Sequence, residues 1–505
     1  MALFTDSERK VLKAVSGLAY SNPFLPERTQ YERAALGRDY VHAAPVWSAS
    51  VTDPDAPSPN VARLHARLSP MIENLGRRIK AAPTVSPEEL AIYEDNVHYL
   101  LYQRYYSDFI SSKTWSFYEK FAADWRSLLP DGSRLETPRF ETAREAPHFF
   151  ACFRQVQRAF HHIFDNIIGN SMPAARLRAS AWQSVFTHDP RRYRRKLYKR
   201  MGDFPTLITG PSGTGKELVA RAIAGSRYVP FDPARCRFED PAGESFVAMN
   251  LAALSPSLIE SELFGHKRGA FTGAIGDRKG WLEACPAAGS VFLDELGEMD
   301  LSIQVKLLRV IETRKFSAVG DTALREFQGK LIAATNRDLT TEIRSGRFRE
   351  DLYYRLCADL VRTPSLREQI DDSPGVLRDL LLFMVRRVVG DEAEQVLAEV
   401  EDWVQNHMPK DYAWPGNYRE LEQCVRNVII RRSYRPMEDR PPAEDPFLAR
   451  FQQGQLTAEE VTGHYAELVY RQLGTYEETA RRLGLDRRTV KAKVEAYQTR
   501  RSATG

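Results

Sequence analysis

The sequence predicts an α/β core built around a phosphate-binding loop, with mainly helical regions before and after it. Three observations carry this. A short apolar strand, Thr206 to Thr209, runs into the glycine-rich string Gly210-Pro211-Ser212-Gly213-Thr214-Gly215-Lys216, and a helical pattern begins at the lysine. From there to about Thr363, strand and helix patterns alternate, as they do in a parallel sheet with crossover helices. Elsewhere apolar residues recur at spacings of about three or four, the period of a helix with one buried face.

The 505 residues suggest roughly three domains. The composition reads as a helical N-terminal domain over 1–175, an α/β subdomain over 176–363, a helical subdomain over 364–433, a linker over 434–455 and a terminal helical domain over 456–505. Thr5-Asp-Ser-Glu8 and Ser86-Pro-Glu-Glu89 both fit a capping box, the second with proline at the first helical position. Tyr93 to Phe121 is crowded with aromatics at helical spacing, which reads as core in preference to a ligand cage. Pro45 to Asn60 reads as a loop. The basic run Arg191 to Arg200 reads as a solvated helix, with contact to DNA or a neighbouring subunit as the alternative. His161 and His162 are adjacent, so on a helix they point to different faces and make a poor metal pair.

A net charge of +4 argues for no partner by itself. The five cysteines are scattered, odd in number and without metal spacing, which favours a reducing cytosol over a disulfide framework. No apolar run approaches the roughly 18 residues needed to span a bilayer, and the N-terminus has no apolar signal core, so a cytoplasmic protein with no membrane partner is expected.

In the glycine-rich string, glycines let backbone N–H groups close around phosphates and the helix N-terminus adds partial positive charge. Lys216 would reach the outer phosphates. The generic pattern has Ser or Thr next, where this chain has Glu217. Val291-Phe-Leu-Asp294-Glu295 is an apolar strand ending in two carboxylates, the pairing that a metal–phosphate site with an attacking water requires. Leu331-Ile-Ala-Ala-Thr335-Asn336 and Phe246-Val-Ala-Met-Asn250 are further strands ending in polar residues. Phe348-Arg349 to Arg355 sets two arginines on one segment, and Trp414-Pro-Gly-Asn-Tyr-Arg419 is a turn followed by a helix start. Between these lies Gly269-Ala270-Phe271-Thr272-Gly273-Ala274, a small apolar tip flanked by glycines. An aromatic exposed there is a contact point; the alternative is that Phe271 tucks into the core.

These strings, in this order, resemble the sigma-54-dependent AAA+ activators, the bacterial enhancer-binding proteins. The resemblance covers Arg176 to about Arg432, and that family also carries Glu at the position of Glu217. It implies an α/β AAA+ P-loop ATPase core with a helical lid, preceded by a mainly α N-terminal domain and followed by an α helix-turn-helix domain. It further implies ATP and Mg²⁺ as cofactors, bound by Gly210 to Glu217, with Asp294 holding the metal largely through water and Glu295 orienting or deprotonating the attacking water. By the same resemblance Asn250 restrains Glu295 until ATP engages, and Asn336 and Arg419 are the first and second sensors. Arg349 and Arg355 are fingers reaching across a subunit interface. Gly269 to Ala274 grips sigma-54 within the RNA polymerase holoenzyme, and a second pore-facing loop lies near Glu298 to Ser302. Ser226 to Glu244 departs from the family by its length, as a surface insertion or a contact particular to a subgroup.

Thr475 to Lys491 reads as helix, turn, helix: Ala480 is small at the crossing, Gly484 permits the turn and Asp486 caps the second helix. The string resembles the Fis-type helix-turn-helix that ends most of these activators. Arg487, Arg488, Lys491 and Lys493 would then meet the DNA. The expected whole is a bacterial, dimer-to-ring homo-oligomer, hexameric or heptameric, that binds upstream double-stranded DNA and remodels sigma-54 closed complexes. The alternatives are a DNA-binding repressor using the ring as a scaffold, or a remodeller of another client. For the N-terminal region the sequence supports only a helical regulatory or sensory domain of unknown type.

Overall fold

The computed structural model describes residues 3–42, 58–82, 84–112, 114–129, 142–239, 246–436, 451 and 454–504. Most of the expected loop Pro45 to Asn60 lies outside them. So do most of the linker and the last residues of the Ser226 to Glu244 segment. The chain divides into two compact units, Met1–Tyr434 and Arg435–Gly505.

The first unit opens with a bundle of helices. Asp6–Tyr20 starts at the predicted box, with Thr5 and Glu8 each accepting from the other's backbone N–H. Pro87–Ser111 starts at Ser86, whose hydroxyl accepts from Glu89 N–H, but the box is not reciprocal. The Glu89 carboxylate turns instead to Leu3 N–H and to Arg9 at 2.6 Å, because a charged partner outbids a neutral backbone donor. The aromatic stripe is core: Tyr93, Tyr105, Phe121 and Trp125 are buried, and Phe150 from the helix Thr142–Asn166 packs among Phe109, Phe117 and Phe121.

The α/β part is a five-stranded parallel sheet in the order Leu360–Arg362, Thr206–Thr209, Lys330–Thr335, Ser290–Asp294, Phe246–Asn250. The inner strands are apolar runs buried on both faces, as all-parallel sheets require. Register aligns their C-terminal ends, with Thr209 opposite Thr335 and Asn250 opposite Asp294. In open α/β sheets this edge is where ligands bind. A helical subdomain follows, with Leu380, Val385, Leu397, Val400, Leu421 and Val428 in its own core.

Two segments resolve readings that the sequence left open. The basic run is not simply a solvated helix. It is a short helix, Pro190–Arg192, followed by a π-helical turn, Tyr193–Leu197, and two of its arginines reach the N-terminal bundle. Arg191 pairs with the buried Asp95, and Arg194 donates to Tyr20 Oη. The segment Ser226 to Glu244 is a contact, not a free insertion, as far as it is described. Its hairpin, Phe231–Asp232 with Arg237–Phe238, drives both phenylalanines into the aromatic core of the N-terminal bundle. Phe231 lies 4.7 Å from Phe150, and Arg154 stacks 4.0 Å over Phe238.

In the second unit Ala458–Leu473, Tyr476–Leu483 and Arg487–Thr504 enclose Ala466, Ala480, Val490 and Val494. All five cysteines are free thiols. No helix among the described residues is long and apolar enough to cross a membrane.

Candidate functional site

A cavity of about 420 Å³ opens at the C-terminal edge of the sheet, lined by Ser212 to Val219, the Asp294–Glu295 pair and Arg419, with Leu380, Phe383 and Met384 giving it an apolar wall. The loop is shaped by its glycines. Gly213 has φ +76°, and a Cβ there would stand 2.2 Å from the Gly416 carbonyl oxygen, so only glycine lets the helical subdomain close onto the loop. Lys216 folds its Nζ back onto the Gly210 and Pro211 carbonyls at 3.1 and 3.0 Å. Burial pushes its ammonium pKa down, while Glu295 and Asp294 pull it up. A cation held by loop carbonyls beside two carboxylates is ready to exchange those partners for phosphate.

Asp294 ends its strand half-buried, its Oδ1 accepting from Glu295 N–H at 3.0 Å. Burial raises its pKa, against the pull of that hydrogen bond and of Lys216. A desolvated carboxylate short of positive charge suits a divalent cation. Mg²⁺ in phosphate sites is commonly held by one or two carboxylates plus phosphate oxygens and water, so a single protein ligand fits. Glu295 adopts φ +55°, ψ +48°, a left-handed conformation that costs a non-glycine residue on the order of 1–3 kcal/mol and clusters at functional sites. Of the strand-end asparagines, Asn250 Oδ1 accepts from Ala252 N–H at 2.9 Å, the local turn role, while register sets it beside Asp294. Asn336 follows its strand into solvent and is outside the cavity lining.

Three polar residues that sequence reasoning passed over hold this site and the arginine segment beside it. Asn417, buried and at φ +51°, donates to Ser212 O at 2.8 Å and accepts from Leu366 N–H at 2.8 Å. It thereby ties the phosphate loop to two helices of the lid, and Tyr418 N–H adds a bond to Gly213 O. Arg178, also buried, donates to Ile167 O and Gly169 O at 2.7 Å, fixing the segment that forms another wall. Asn417→Ala should lower stability by about 2–4 kcal/mol, since it orphans the buried Leu366 N–H, loses the bond to Ser212 O and forces alanine left-handed. Thermal unfolding measures this, and an unchanged midpoint would contradict the clamp.

Arg349 and Arg355 stand outside the cavity of their own chain. Both are exposed, Arg349 paired with Asp351 at 2.6 Å and Arg355 with Glu312 at 3.0 Å. The third missed residue, Gln304, supports their segment from within: fully buried, it donates to Met299 O and Arg347 O and accepts from Arg349 N–H at 2.8 Å. A polar residue interrupting the apolar face Ile303, Leu307, Val310 was its only trace in the sequence.

The string Gly269 to Ala274 is a folded tip on a two-stranded base, Gly265–His266 with Arg278–Lys279. Gly269 N–H donates to Ala274 O at 2.9 Å, with Gly269 and Gly273 both at positive φ, and Lys267 pairs with Asp277 across the neck. Ala274 is buried, Ala270 half-buried, and Phe271, Thr272 and Gly273 are exposed. Phe271 is 40% exposed, its ring edge-on to His266, so it does not enter the core. Near the expected second loop, Glu298 pairs with Arg337 and Asp300 caps the helix Leu301–Thr313.

In the second unit Gly484 makes the turn at φ +66°, and Asp486 accepts from Thr489 N–H at 2.9 Å to start the last helix. Arg487, Arg488 and Lys491 are exposed along that helix, whereas Lys493 is half-buried and donates to Thr462 at 3.1 Å.

A family model described as the sigma-54 interaction domain matches residues 189–361. The Nif-specific regulatory protein of Enterobacter agglomerans is 42% identical over 229 residues, 45% of this chain and 40% of that protein. The transcriptional regulatory protein ZraR of Klebsiella oxytoca is 38% identical over 312 residues, 58% of this chain and 63% of that protein. The solved structure of NtrX from Brucella abortus in complex with ATP is 25% identical, covers 75% of this chain and 80% of that one, and superposes with a TM-score of 0.39. The chain thus spans about half the length of the curated relatives it matches. Residues 189–361 thus match a sigma-54 interaction domain, and about half of the chain is similar to these regulatory proteins.

Proposed function

We propose that this protein is an ATP-hydrolysing transcription activator that binds upstream DNA, assembles into a ring and remodels the sigma-54 RNA polymerase closed complex. ATP with Mg²⁺ binds in the cavity between the Gly210 to Glu217 loop and the helical lid. Asp294 holds the cation, which supplies charge neutralisation to the phosphates. Glu295 orients and deprotonates the attacking water, with Asn250 and Asn336 at the neighbouring strand ends and Arg419 reporting the nucleotide to the lid. Arg349 and Arg355 serve the cavity of an adjacent subunit. Gly269 to Ala274 grips sigma-54, and Arg487, Arg488 and Lys491 meet DNA, with Lys493 contributing only if it leaves Thr462.

The observation that carries the reading is a folded, glycine-flanked tip with Phe271 and Thr272 presented to solvent, in the same α/β layer as a loop-and-carboxylate cavity. An enzyme that only hydrolysed ATP would have no use for that tip. Thr272→Ala should keep ATP turnover within about 2-fold, because the side chain touches nothing in the cavity, and lose sigma-54-dependent transcription by more than about 10-fold, the scale of a lost contact hot spot. An active mutant in a reconstituted transcription assay would refute the role of the tip.

A further inference from the structure

A second cavity, of about 150 Å³, lies within the first unit, away from the nucleotide site. Its wall combines the N-terminal bundle with the helices that lead into the sheet, and Tyr102, Phe153, Phe160 and Trp182 make it largely aromatic. The volume matches that of an engineered apolar cavity known to take benzene, so the space admits one ring.

The charge of this wall is one-sided. Two arginines border the cavity, Arg28 and Arg194, and no aspartate or glutamate does. Arg28 is matched by Glu32 at 3.0 Å. Arg194 has no carboxylate partner among the described residues, and its hydrogen bonds go to neutral groups, the Tyr20 hydroxyl and His98 Nδ1. Asp95 pairs with Arg191 and reaches Arg194 only through Tyr20, whose hydroxyl donates to Asp95 and accepts from Arg194. Burial, with Arg194 and Arg195 nearby, holds the His98 imidazole well below its usual pKa, so it brings no charge of its own. Arg194 is half-buried, which leaves part of its surface open to a guest. Its guanidinium lies 5.0 and 5.2 Å from the ring centres of Tyr20 and Phe149, so it is held in place before a guest arrives.

We propose that this cavity binds a single-ring aromatic carboxylate, its ring among the aromatic side chains and its carboxylate on Arg194. A guanidinium has five N–H donors, more than the two acceptors Arg194 meets in the fold, and it takes a carboxylate through charge-assisted bonds. A neutral ring would leave the charge of Arg194 without a partner, and a small anion would leave the aromatic wall unfilled, so the two features together select the combination. The small volume excludes a second ring. The site joins the N-terminal bundle to the ATPase fold. Arg194 belongs to the turn Tyr193–Leu197, which leads into the strand Thr206–Thr209. Phe153, Val156 and Phe160 belong to the helix Thr142–Asn166, on which Gln155 and Arg158 donate to Ser226 O and Gly225 O at the end of the phosphate-loop helix.

Titration calorimetry of the full chain with benzoate tests the proposal. Benzamide supplies the ring without the charge, and acetate the charge without the ring. Saturable binding of benzoate with a Kd below about 1 mM is expected, with benzamide and acetate each at least about 10-fold weaker. Two variants locate the site. Arg194→Gln keeps a donor for Tyr20 but removes the charge, and should weaken benzoate by at least about 10-fold. Val156→Trp fills the space and should abolish binding, with thermal unfolding confirming that each variant is folded. Absence of saturable benzoate binding to the wild-type chain would overturn the proposal whether or not either variant folds. Benzamide or acetate binding as tightly as benzoate would overturn it too, as would wild-type benzoate affinity in Val156→Trp.

Discussion

Replacing Glu295 with Gln is expected to leave ATP bound and to slow its hydrolysis by about 10²–10⁴-fold, the range associated with a positioned general base. The substitution keeps size and shape, so the left-handed backbone at Glu295 and the Glu295 N–H bond to Asp294 have no steric reason to change. What it removes is the carboxylate that accepts a proton from water. Binding should survive because the phosphate loop, Lys216 and the lid contacts through Asn417 and Tyr418 are untouched. Lys216→Ala is the complementary change, and it should lose nucleotide binding itself. Equilibrium binding of a fluorescent ATP analogue and a phosphate-release assay, run on both variants, separate the two roles. Normal turnover in Glu295→Gln would remove this residue from the chemistry.

Alanine at Arg349 or Arg355 should cost about 10³–10⁵-fold in turnover, the effect of a guanidinium that meets the charge spreading over a transferred phosphoryl group. Their own cavity is lined without them, so the loss is predicted to arise in a neighbour's site. Both are held by exposed ion pairs, to Asp351 and to Glu312. Exposed pairs of this kind are weak, so either arginine can leave its partner when a phosphate approaches. Gln304 keeps the backbone at Arg349 fixed meanwhile. Mixing supplies the decisive form of the test. Arg355→Ala and Lys216→Ala should each be inactive alone, and a mixture should regain turnover, because one subunit brings the intact finger and the other the intact loop. A mixture as inactive as its parts would place the arginine in its own subunit's chemistry or outside catalysis.

How much of this was legible depends on the range of the interactions. The phosphate loop, the strand-ending carboxylates and the Gly484 turn are local, so consecutive residues state them, and the parallel sheet follows from strands alternating with helices. The clamps were not legible. Asn417 reads as the last residue of a Trp-Pro-Gly-Asn turn, and nothing nearby in sequence tells of its bond to Ser212. Arg178 and Gln304 read as ordinary helix residues, because their backbone partners carry no side-chain signal. The basic run misled for a related reason: Arg191 and Arg194 look solvated until the fold brings Asp95 and Tyr20 to them. The hairpin at Phe231 and Phe238 could be seen as extra chain, but its burial in the N-terminal core depends on contacts about 80–120 residues away, such as Cys236 with the Trp115 carbonyl. One consequence is practical. A deletion ending at Arg176 would remove the helix Thr142–Asn166, whose Ala159 and Ile163 cover Val219 and Ile223 of the phosphate-loop helix. Point changes are the better probe of how the N-terminal bundle acts on the ATPase fold.

The central claim is that the nucleotide cavity drives the Gly269 to Ala274 tip against sigma-54. Its most direct measurement is binding of purified sigma-54 to the full chain with ATP, with ADP, and with ADP plus aluminium fluoride as a mimic of the transferring phosphate. The account predicts a stable complex with the mimic, none with ADP, and loss of the complex in Thr272→Ala. Measurable ATP hydrolysis with no sigma-54 complex in any nucleotide state would contradict it.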